Sequence, residues 1–139
     1  MGLLESIKAN EGFKDREYLD HLKVPTIGYG FAIKDLVLDK DICDMILERK
    51  LKSLIKRVHK KFPFVEDLPE EAQEVVYEMC YQLGLGGFSK FKKTIAFLRL
   101  GNYKVCADEM LDSRWARQTP NRAQRLSNII REIPSEFTG

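Results

Sequence analysis

The sequence has no run approaching the roughly 20 apolar residues that a membrane-spanning helix requires. Its opening, Met1-Gly2-Leu3-Leu4, lacks the basic start and long apolar stretch of a secretory signal. Both absences predict a chain made in the cytoplasm with no stable membrane insertion. Cysteine is scarce: Cys43, Cys80 and Cys106 are odd in number and show no metal-ligand spacing. Each falls in an apolar helical context that suits a buried thiol, so no disulfide and no metal are expected. An excess of one charge is also missing, because 23 basic against 21 acidic residues leave a net +2. That is too little for a typical nucleic-acid binder. Only Arg49 to Lys61 is locally basic; it offers charge to an anionic polymer, but the plainer reading is a solvated helix face. Repeats and low-complexity linkers are absent as well, which makes 1–139 a single expected domain.

What is present is a change of periodicity along the chain. Leu3, Leu4 and Ile7 predict a helix over 3–11 that Gly12 closes in a left-handed conformation. Residues 16–33 are rich in strand formers, with turn-prone residues from Asp20 to Lys23, and predict an antiparallel sheet of two or three short strands. Helical spacing returns over 41–62 until Pro63 stops it. Asp67 and Glu70 have capping-box spacing before a helix that exits at Gly84. Further helices are expected near 89–100, after Asn102, and from Thr119-Pro120 to Pro134. The fold class is α+β: a small N-terminal antiparallel sheet lobe (about 12–62), a long connecting helix, and a helical C-terminal lobe (about 63–139) packed with helix 1–11.

Glycoside hydrolysis generally needs a carboxylic acid to protonate the departing oxygen and a carboxylate on the far side of the bond. Glu11 at a helix end and Asp20 on the adjacent hairpin are candidates, although an isolated pair of this kind reads equally as two solvated carboxylates. Thr26, alone, reads as an ordinary strand threonine. The wider wording is Glu11-Gly12-Phe13, Tyr18-Leu19-Asp20 and Pro25-Thr26-Ile27-Gly28-Tyr29-Gly30. Further on come Tyr81-Gln82-Leu83-Gly84 with Gly87 and Phe91, then Ser113-Arg114-Trp115 and Gln118-Thr119-Pro120-Asn121-Arg122-Ala123. Together these span most of the chain and resemble the phage-type lysozymes, glycoside hydrolase family 24, with wording nearest its T-even coliphage branch. The stretch from about Phe31 to Pro69 is shorter and diverges, and Phe31 stands where the family often has a His.

The resemblance implies a lysozyme-like fold and a monomeric, cofactor-free muramidase. Such an enzyme cuts the β-1,4 bond between N-acetylmuramic acid and N-acetylglucosamine in peptidoglycan, with inversion. Glu11, Asp20 and Thr26 would be catalytic, with Arg122 paired to Glu11. Family saccharide positions fall on Tyr81 and Thr94 in kind, and on Ala32 and Glu109 by register only, with altered side chains; Gln82 is a further candidate. Trp115 reads as a core residue rather than a sugar platform. The alternative within the same fold is a non-catalytic peptidoglycan-binding or virion-associated protein. A cytoplasmic chain acting on the periplasmic wall would need a holin-type release.

Overall fold

In the computed structural model, which describes residues 2–134, Leu3, Leu4 and Ile7 lie on helix α1 (Leu3–Glu11). Gly12 closes it with φ 70° and ψ 158°, its N–H donating to the Lys8 carbonyl at 2.9 Å. The positive φ is the expected one, but the extended ψ sends the chain straight into a strand instead of curling through the left-handed helical region. Three strands follow: β1 (Lys14–Leu19), β2 (Pro25–Gly28) and β3 (Phe31–Ala32), antiparallel in the order β1-β2-β3. Tyr18 faces Thr26 across the first pair, and Thr26 faces Ala32 across the second.

The described chain forms two compact units, one ending at Asp44 and the other starting at Met45. The first has little to bury. Its aromatic side chains gather as Phe13, Tyr29 and Phe31, with ring centroids 5.3 and 6.4 Å apart in successive pairs. Phe31 also covers Gly28, where an added Cβ would meet the ring at 2.8 Å.

Helix α2 (Lys40–Lys61) runs across the unit boundary and sends Leu54 and Val58 into the core of the second unit before Pro63 ends it. Helix α3 (Glu70–Ser89) is not opened by the expected capping box. Pro69 holds the cap position, and Asp67 closes a short 3-10 turn instead. The two prolines fix the backbone on either side of that turn, so the helix boundary lies beyond the reach of the Asp67 side chain. Gln73 serves the entry in its place, its amide donating to the Leu68 and Glu66 carbonyls at 2.8 and 3.2 Å. Gly84 breaks the helix with φ 77° and ψ 156°, after which helical turns resume as far as Ser89.

Helix α4 (Lys92–Leu100) ends on left-handed Gly101, and α5 (Tyr103–Leu111) starts from Asn102, whose side chain accepts the Val105 N–H. A short α6 (Arg114–Gln118) begins at Ser113, and α7 (Pro120–Arg131) begins at the expected proline. Phe88, Met79, Met110, Leu126 and Ile130 are fully buried among these helices. Each such side chain contributes roughly 1.5–3 kcal/mol of transfer free energy. All three cysteines are free. Cys80 and Cys106 are buried as expected, whereas Cys43 is exposed, because it sits among Lys40, Asp41 and Asp44 on a turn of α2 that presents charge to water. Among the described residues, no helix is long and apolar enough to cross a membrane.

Candidate active site

Asp20 follows β1 directly and starts the turn that returns the chain into β2. Its backbone N–H donates to the Val24 carbonyl at 3.0 Å, and its own carbonyl accepts the Lys23 N–H at 2.9 Å. Lys23 takes a positive φ of 63° to make this possible. The Asp20 carboxylate then accepts two backbone N–H groups, from Leu22 at 2.8 Å and Val24 at 2.9 Å, both on Oδ1. Oδ2 lies outside that pairing. The Val24 hydrogen bond holds the carboxyl below its ordinary pKa; desolvation opposes it, and Leu22 with the positive fields of His21 and Lys34 adds to the lowering. Asp20 is therefore a fixed carboxylate.

Val24 also ties in Thr26. The Thr26 hydroxyl donates to the Val24 carbonyl at 2.7 Å, and the residue is buried at 3% exposure, the lowest among the described residues of the first unit. With its proton committed, the hydroxyl has only lone pairs to offer an incoming group. Glu11 reaches the same hairpin from the end of α1. Its carboxyl lies so close to Gly30 that a Cβ there would stand 2.5 Å from Oε2. Lys8, one turn earlier, sits over the Tyr29 ring at 5.7 Å. One helix end and one hairpin thus hold Glu11, Asp20 and Thr26. Sequence reasoning left Val24 and Gly30 without roles; the Gly28-Tyr29-Gly30 wording was the signal for the second.

Ala32 belongs to this unit and lies opposite Thr26. The other named residues belong to the second unit. Thr94 and Glu109 line a cavity of about 550 Å³ with Phe91, Arg114 and Trp115. Trp115 is buried, as a core residue should be, and its indole N–H donates to Gln82 Oε1 at 2.9 Å. Tyr81, half exposed, lines a separate groove of about 440 Å³. Arg122 on α7 stands 3.6 Å from Glu78, which Arg125 also engages at 2.6 Å.

Comparison with known proteins gives this arrangement a family. The profile described as phage lysozyme matches residues 8–131. Probable T4-type lysozyme 2 of Dictyostelium discoideum is 27% identical, over 92% of each chain. The pre-baseplate central spike protein of Enterobacteria phage T4 is also 27% identical, over 94% of this chain but 28% of its own length. A SAR-endolysin of bacteriophage PS119 is 26% identical over 76% of this chain and 62% of its own. A profile that begins before Glu11 and ends within α7 takes in the hairpin and the helices together, and the chain belongs to the phage lysozyme family.

Proposed function

We propose that this chain is a peptidoglycan muramidase that hydrolyses the β-1,4 bond between N-acetylmuramic acid and N-acetylglucosamine with inversion. The observation that carries this reading is the ionised, doubly hydrogen-bonded Asp20 tied through Val24 to the Thr26 hydroxyl. Glu11, against Gly30 on the same hairpin, protonates the departing O4 as its bond to C1 breaks. Water then forms the new bond to C1 from the opposite face. Asp20 Oδ2 takes a proton from that water, or its charge stabilises the oxocarbenium-like state while the proton passes to bulk water, and the Thr26 oxygen accepts a hydrogen bond from the water's other O–H. Tyr81, Gln82, Thr94, Glu109 and Ala32 are proposed saccharide contacts, and Arg122 is proposed as the supporting partner of Glu11. The relatives' names, a lysozyme and an endolysin, support a wall-degrading role. Action on the periplasmic wall after a holin-type release is part of the same proposal. The phage spike relative supports the virion-associated alternative.

The test is turbidity loss of outer-membrane-permeabilised Gram-negative cells. Glu11→Gln keeps the side chain's shape but has no acid proton. Activity should fall by roughly 10²- to 10⁴-fold with the circular dichroism spectrum unchanged. Retention of more than about a tenth of activity would remove Glu11 from the mechanism. No lysis by the wild type would favour a binding protein. NMR of the first-formed anomer decides the stereochemistry, since initial β-product from the β-linked substrate would make Asp20 a nucleophile.

A further inference from the structure

Within the second unit, the groove that carries Tyr81 is walled on its other side by α2. Arg49, Lys50, Ser53 and Arg57 line it from that helix, and Tyr81 and Gly84 from α3. No acidic side chain lines it. Three other arginines of this unit have carboxylates: Arg122 and Arg125 share Glu78, and Arg131 holds Asp108 at 2.7 Å. Among the described residues, no carboxylate pairs with Arg49, Lys50 or Arg57. Three uncompensated cations in one concavity raise the local potential and select an anion. The charge reaches the floor, where the positive field of Arg57 acts on the buried Cys80 thiol. Gly84 leaves its wall open, since a Cβ added there would meet nothing within 4 Å.

We propose that this groove is an anion subsite for the carboxylates of the peptide stems that the wall glycan carries, with a sugar ring resting on Tyr81. This rests on the peptidoglycan reading given above. An arginine guanidinium offers a planar fork that matches a carboxylate, and two of them with a lysine suit a short branch bearing more than one acid group. The half-exposed phenol supplies the face that a pyranose needs. At about 440 Å³ the groove admits a branch and not a duplex. A net charge of +2 leaves little for an extended polyanion to follow.

The experiment compares wild type with an Arg49→Gln, Arg57→Gln double variant on two substrates: intact peptidoglycan, and the same glycan with its stems removed by an amidase. Release of reducing ends gives kcat and KM on each at two salt concentrations. The ratio of kcat/KM on stem-bearing to stem-free glycan should fall about tenfold in the variant, through KM, and lose most of its salt dependence. An equal change on both substrates, or none on either, overturns the subsite. If the wild type cleaves neither glycan, the hydrolase reading fails instead. The subsite is then judged by pelleting each protein with the two insoluble glycans, where it predicts weaker retention of the variant on stem-bearing material alone. Competition by phosphate-bearing wall polymer or by duplex DNA, stronger than by free stem peptide, would assign the groove to a different anion and overturn the proposal. Matching melting temperatures of the two proteins exclude a folding defect.

Discussion

Gly30 shows how a residue with no side chain controls one that has chemistry to do. It holds φ 77°, and the volume its Cβ would fill belongs to the Glu11 carboxyl. Gly30→Ala therefore carries two penalties: a left-handed φ that costs an L-residue roughly 1–2 kcal/mol, and the displacement of Glu11. The expected outcome is a folded protein with a lower melting temperature and at least about a tenfold lower kcat, read by calorimetry and by the turbidity assay. Strain alone would lower stability and spare kcat, so unchanged kcat would show that the Glu11 position at Gly30 does not matter for turnover. Asp20 has the converse relation to its surroundings. Its charge is held by backbone N–H groups of its own turn, so the element that forms the hairpin also fixes the carboxylate.

At the scale of elements, legibility followed local chemistry. The sheet of two or three short strands, the long helix ending before Pro63, and the helix start at Asn102 were readable because each depends on residues a few positions apart. The capping box failed because Asp67 and Glu70 were read without Pro69 between them, and Pro69 takes the cap position that the box would need. Helix α6 was legible only as a motif, since five residues are too few to show a period. Its start is nonetheless specified. Ser113 Oγ accepts the Ala116 N–H at 3.1 Å and donates to the Met110 carbonyl at 2.7 Å, which joins the end of α5 to the start of α6. Ser113→Ala should cost about 1 kcal/mol, within the roughly 0.5–2 kcal/mol expected of a lost cap. Chemical denaturation measures this directly, and an unchanged midpoint would mean that Trp115 packing alone holds the turn. In the candidate site, the motif made Glu11, Asp20 and Thr26 readable. Val24 was not, because its part is played by backbone groups that every residue possesses.

For the molecule as a whole, the helical core makes a demand on pH. Cys80 on α3 and Cys106 on α5 are both buried, and burial pushes each thiol from 9.0 up to about 12; Arg57 slightly opposes this at Cys80, and Glu109 adds to it at Cys106. Cys106 also donates its S–H to the Thr94 carbonyl at 3.4 Å, a bond that ionisation removes. Between pH 9 and 12 the folded thiols keep protons that the unfolded chain releases. The unfolded state then binds fewer protons, so stability falls as pH rises. The contribution is fully present below pH 9 and is lost on the way to 12. Each thiol adds a slope of up to about 1.4 kcal/mol per pH unit across that window. Tyr77 is shifted up by burial, and then by Glu66, and contributes in the same direction. Urea midpoints at pH 8, 9.5 and 10.5 in reducing buffer should therefore drop more steeply for the wild type than for a Cys80→Ala, Cys106→Ala variant. The variant starts lower, because the lost sulfurs leave small cavities, but that offset does not depend on pH. Convergence of the two curves toward alkaline pH is the expected result. Parallel curves would show that neither thiol is held protonated by the core, and the alkaline loss would then belong to groups such as Tyr77.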